Sequence, residues 1–154
     1  MSNPSANVSP IFIRRPLITS LRLQGQVANR ETGTNTPDLL LSGGSTGALI
    51  ESIEVYPLGT NIKTVLRLYY TQPPAPGFIL FREVVLPAVA AAPTDDVISG
   101  YPIKVSLPKI LAPASPDPAK PNDGLRIPAG VEIRAALGVA IASGVVVTCF
   151  GGDY

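Results

Sequence analysis

Glu51, Glu54, Glu83 and Glu132 are the residues with which this sequence could do acid–base chemistry. Each falls in a segment that reads as a β-strand, and two carboxylates facing each other across the end of a sandwich would form a glycosidase-like acid and base. The alternative sets them on solvated strand faces or against Arg67, Arg82 and Arg134, and composition favours it. Sugar sites stack their ligands on aromatic rings, and the chain has no tryptophan. It also has no histidine, which removes the usual proton shuttle, every His-ligated metal site and the Ser–His and Cys–His nucleophile pairs.

The remaining reactive groups read the same way. Asp95, Asp96, Asp117 and Asp123 offer oxygen ligands of the kind calcium accepts, but no Asp-x-Asp-x-Asp-Gly loop accompanies them, so they are expected to be solvated loop charges. Gly43-Gly44-Ser45-Thr46-Gly47 lacks the Gly-Lys-Ser/Thr ending and the following helix of a phosphate loop and is expected to be a turn. Tyr56, Tyr69, Tyr70, Tyr101 and Tyr154 could line a groove, but with four phenylalanines they are all the aromatic residues of the chain. Core and subunit contacts need most of them. Cys149 is the single cysteine; it reads as a small buried hydrophobe. The expectation is a protein that is not an enzyme and uses no cofactor and no metal.

The elements that hold these residues are strands. The 154 residues fit one domain, and glycine (14) with proline (17) makes about a fifth of them. Leu17–Ala28, Ala48–Pro57, Lys63–Gln72, Phe78–Leu86, Tyr101–Leu107, Val131–Leu137 and Val145–Phe150 alternate or carry β-branched and aromatic residues, with an eighth short strand possible around Leu39 or Ile110. The short linker at Leu58–Asn61 predicts that the strands on either side of it pair as an antiparallel hairpin. Seven to eight short strands with regular turn signals predict an all-β antiparallel sandwich or barrel. Residues 109–125 form a proline-rich loop within the domain 17–154, and residues 1–16, with Pro4, Pro10 and Pro16, predict an extended N-terminal arm. In that arm Ile11, Phe12, Ile13, Arg14 and Arg15 are the candidate partner-binding residues, Phe12 as an apolar anchor and the arginines pairing acidic groups.

Charge narrows the partners. Twelve Lys and Arg against eleven Asp and Glu leave +1, without the basic excess of a duplex-binding domain. Residues 1–8 have no basic segment leading into an apolar one, and the most apolar run, Gly138–Phe150, is too short for a bilayer span of ~20 residues. Neither nucleic acid nor membrane is expected as a partner. Charged residues are only 15% against the ~25% usual in soluble domains, which points to apolar surface covered by other subunits.

Gly47-Ala48-Leu49-Ile50-Glu51-Ser52-Ile53, Leu58-Gly59-Thr60-Asn61-Ile62-Lys63-Thr64-Val65-Leu66-Arg67-Leu68-Tyr69, Ile127-Pro128-Ala129-Gly130-Val131-Glu132-Ile133-Arg134-Ala135 and the closing Phe150-Gly151-Gly152-Asp153-Tyr154 together resemble small virion proteins of tailed bacteriophages, in particular the head decoration (cement) proteins. The resemblance spans about two thirds of the chain, from Gly47 onward without the proline-rich loop, and carries no motif residues with it. It implies a jelly-roll-like sandwich, a homotrimer, the phage major capsid protein as partner, and a place on the phage head surface after synthesis in the host cytoplasm. A tail, baseplate or fibre-tip module with a glycan-binding sandwich is the other reading.

Overall fold

The structure, a computed structural model, describes residues 15–30, 37–71, 77–91, 98–107 and 124–153. Ile11, Phe12, Ile13 and Arg14 of the expected arm, and most of the proline-rich stretch, lie outside the described residues. Among the described residues there are nine strands and no helix: β1 (Arg15–Leu23), β2 (Asp38–Ser42), β3 (Ala48–Pro57), β4 (Thr64–Thr71), β5 (Ile79–Leu86), β6 (Ile103–Lys104), β7 (Leu125–Ile127), β8 (Glu132–Leu137) and β9 (Val145–Asp153). They make two antiparallel sheets. The first runs β1-β9-β3, with β7 and β6 on the far edge of β3; the second runs β2-β8-β4-β5.

Alternation puts one face of each sheet against the other. Leu23, Ile50, Ile53, Val55, Val147 and Cys149 of the first sheet meet Leu41, Leu66, Leu68, Ile133 and Leu137 of the second in one buried core. This is the all-β antiparallel sandwich that the strand pattern predicts.

β3 has the bounds read from sequence, but its alternation changes phase. Ile50 pairs Gly151 and Ser52 pairs Phe150, which leaves Glu51 as an extra, bulged residue. The bulge lets Ile50 and Ile53, three apart, both point inward, where strict alternation would put them on opposite faces. Gly151 permits the close approach there, because a Cβ on it would collide with the carbonyl oxygen of Leu49.

The expected β3–β4 hairpin does not form. β3 pairs β9, β6 and β7, while β4 pairs β5 and β8, so residues 58–63 carry the chain from one sheet to the other. The reason is Asn61, a buried amide. Its Nδ2 donates to the Gly144 carbonyl (2.8 Å), and its Oδ1 accepts from the amides of Ser143 (2.9 Å) and Gly144 (3.1 Å). Its backbone also exchanges hydrogen bonds with Val89. A tight hairpin turn would leave those groups in solvent; a crossing connection buries and satisfies them.

Three further differences concern edges. β1 begins at Arg15, inside the segment read as arm. The expected strand 101–107 shrinks to Ile103–Lys104 beside Pro102, which has no N–H to give a ladder. Leu125, read as the end of the proline-rich loop, opens β7 on the edge of β3.

Candidate functional site

The carboxylates do not meet. Glu54 lies on β3 with the Lys104 Nζ 3.8 Å away, and Glu51 is exposed at the bulge. Glu83 and Glu132 belong to the other sheet. Glu83 accepts from Arg67 Nε (3.0 Å) and Arg30 Nε (3.1 Å), and Glu132 from Arg134 Nη2 (2.8 Å). Of the arginines expected to pair them, Arg67 and Arg134 do; Arg82 does not, and Arg30 takes the second place on Glu83. Hydrogen bonding from Arg67, supported by Arg30, outweighs desolvation and holds the Glu83 carboxyl below its ordinary pKa. A carboxylate fixed in its charged form is a poor general acid.

This ion cluster fastens residues 24–30, the segment after β1, as a strap against the second sheet. Arg67 also donates to the Ala28 carbonyl (2.7 Å) and the Tyr69 hydroxyl to the Asn29 carbonyl (2.8 Å). Ala28 and Leu137 complete the tie through a backbone hydrogen bond. Beneath the strap Tyr69 is fully buried on the outer face of the second sheet against Ala28 and Ala136, with Phe78 and Leu80 packed beside it. Burial raises the Tyr69 pKa.

The tyrosines separate into three places instead of one groove. Tyr69 is in the strap core; Tyr56 and Tyr101 form an edge-to-face pair on the first sheet, 6.3 Å between ring centres; Tyr70 stands beside Phe81, 6.2 Å away. Tyr154, like Asp95, Asp96, Asp117 and Asp123, lies outside the described residues. Cys149 is buried opposite Thr19, and burial pushes its thiol up to about 12, so it stays protonated and unreactive. Among the described residues no group of three or more His, Cys, Asp or Glu gathers to hold a metal ion. Gly43–Gly47 is a turn: the Gly47 amide donates to the Gly43 carbonyl (2.7 Å), and Gly44 and Gly47 both have positive φ.

What the structure adds is an apolar cleft of about 260 Å³ between β7 and the second sheet. Leu125 and Ile127 of β7, Pro128 and Val131 after it, and Tyr70, Phe81 and Ile133 of the second sheet line it. Phe81 reaches it through a second bulge. Leu68 pairs Arg82 and Tyr69 pairs Leu80, so Phe81 is the extra residue and its ring turns onto Tyr70. Arg126 is the one charged residue in the lining. Such a lining suits an aliphatic or aromatic side chain. Sequence reasoning missed it; the signal was Leu125 and Ile127 alternating just before Pro128.

Of the candidate partner-binding residues only Arg15 is described. It opens β1, largely exposed, with its Nη2 2.9 Å from Asp153 Oδ2. Arg15, Asp153, Ala48 and Ile127 stand in one row across the first sheet, so β1 starts at the same end of the sandwich as the cleft.

The chain was compared with protein-family models, with curated proteins and with solved structures, and nothing matches in any of the three.

Proposed function

We propose that the protein is a non-enzymatic structural component of a tailed-phage particle, a decoration protein that assembles as a homotrimer on the head and braces contacts between major capsid proteins. The observation that supports this reading is where its apolar surface lies. Ile18 on β1 is 68% exposed, and Ile62, Val85 and Val139 are 59%, 57% and 52% exposed. The last three lie near the start of β4: Val85 pairs Val65, Thr64 Oγ1 donates to the Val139 carbonyl, and Ile62 precedes Thr64 by two residues, while Leu39 and Ile79 are exposed elsewhere on the second sheet. A clustered aliphatic corner in a chain with few charges is surface suited to burial against another subunit. In a lattice many such modest contacts combine by avidity.

The test is co-sedimentation of the full chain with assembled heads of the encoding phage and, separately, with free capsid subunits. Saturable binding to heads alone is the expected result; equal binding to both, or to neither, contradicts it. The Tyr56–Tyr101 pair favours a second reading, a tail, baseplate or fibre-tip module that stacks a sugar ring on exposed tyrosine. Glycan-array binding lost on Tyr56→Ala, with no head binding, would select that reading.

A further inference from the structure

We infer that the apolar cleft between β7 and the second sheet receives the segment Ile11-Phe12-Ile13 of a second copy of this chain. The inference deepens the oligomeric reading above and rests on it for the number of copies, but its own argument is geometric.

The cleft suits an apolar occupant. Its walls are Tyr70, Phe81, Leu125 and Ile127, and its volume is about 260 Å³. A closed apolar cavity of roughly 150 Å³ is enough for a benzene ring, so this one has room for a phenyl ring and part of an aliphatic neighbour. In the sequence before β1, Ile11-Phe12-Ile13 is such a set, bounded by Pro10 on one side and by Arg14, Arg15 and Pro16 on the other. Proline at both flanks favours extended backbone, which lowers the ordering cost of docking.

Position decides whose cleft is filled. Arg15 opens β1, and from it the row Arg15–Asp153–Ala48–Ile127 crosses three strand spacings to β7. At ~4.8 Å per spacing that is roughly 14 Å. Phe12 precedes Arg15 by three residues, whose fully extended backbone spans at most ~11 Å. Even with the length of the phenylalanine side chain added, entry into its own cleft needs the chain to leave β1 sideways, run nearly fully extended along the end of the sheet and then turn inward between the sheets. A neighbouring copy imposes none of this. Each copy offers one arm and one cleft, so head-to-tail exchange closes into a ring when the rotation between copies allows it.

The test replaces Phe12 with the photoreactive residue p-benzoylphenylalanine in the full chain and mixes copies of normal and heavy isotope content before irradiation. Cross-links that join a light copy to a heavy one, at Tyr70, Phe81 or Leu125–Val131, are the expected result. Cross-links within one copy, at other surfaces, or at background level overturn the inference. As a second readout, Phe12→Asp in the full chain is expected to abolish the oligomer while keeping the β-sheet circular dichroism, and Phe12→Leu to retain it. An oligomer that survives Phe12→Asp overturns the inference as well. No phage particle is in either experiment, so failure here with intact head binding leaves the decoration reading standing. Mixed-copy cross-links without head binding would do the reverse.

Discussion

At the end of the sandwich where β3 hands the chain to β4, Asn61 makes three side-chain hydrogen bonds to residues 143 and 144. Thr60 Oγ1 donates there to the Ala91 carbonyl, and Ser143 Oγ to the Thr60 carbonyl. At the opposite end β7 is three residues long and stands away from the second sheet, leaving an apolar cleft. Both ends carry crossing connections and turns from similar material. The closed end satisfies its polar groups on one another, with Ile62, Val85 and Val139 exposed beside it; the open end, among the described residues, holds an apolar cleft. A buried polar network and an apolar cleft thus stand at opposite ends of one small core.

Substitution at the closed end should cost most. Asn61→Ala strands the buried amides of Ser143 and Gly144 and is expected to lower unfolding free energy by about 3 kcal/mol in guanidinium titrations. A loss below about 1 kcal/mol would mean that this end is held by something else. Gly59→Ala, whose new Cβ would stand 2.9 Å from Ser143 Oγ, should cost about 1–2 kcal/mol. At the open end Val131→Ala should cost only about 1 kcal/mol, because Val131, though buried, lines the cleft, so truncation widens an opening that exists and leaves no new closed cavity. Equal costs at Asn61 and Val131 would erase the contrast.

The acid and alkaline limits should depend on neither end. Glu83 has its folded pKa lowered by hydrogen bonding from Arg67 and Arg30. Its contribution is therefore present above the ordinary carboxylate value and is lost as pH falls through the lower folded one. Glu83→Gln should flatten the acid side of a stability-against-pH curve. Cys149 has its folded pKa raised from 9.0 to about 12, so the thiol favours folding below 9 and that advantage is lost as pH rises toward 12. Cys149→Ala should leave a small cavity cost at neutral pH and a shallower alkaline decline. The smallest effect belongs to Arg15→Ala: the Arg15 side chain is 76% exposed, and denaturation should register a change within about 0.5 kcal/mol. A larger change in the oligomer than in the fold would mark Arg15 as an interface residue.

Much of this architecture can be read from residue alternation. Ala48–Pro57 and the strands near β4, β5, β8 and β9 stand out because apolar and β-branched residues recur every second position. The partner of each strand does not. Alternation assigns faces, and the choice between a hairpin and a crossing at residues 58–63 turned on one buried amide, Asn61. The bulges at Glu51 and Phe81 are equally silent, because an extra residue appears in sequence as an ordinary member of the strand. For the same reason the cleft was invisible: it depends on Phe81 turning inward and on β7 docking against β3 after a long proline-rich interval. The arginine partners of the carboxylates were legible as a class, but the strap that brings Arg30 to Glu83 was not.

The most direct test of the account is the mass of the full chain in solution by size-exclusion chromatography with light scattering. The proposed homotrimer predicts three times the 16.0 kDa of a single chain, stable on dilution. A mass of 16.0 kDa at every concentration would contradict it.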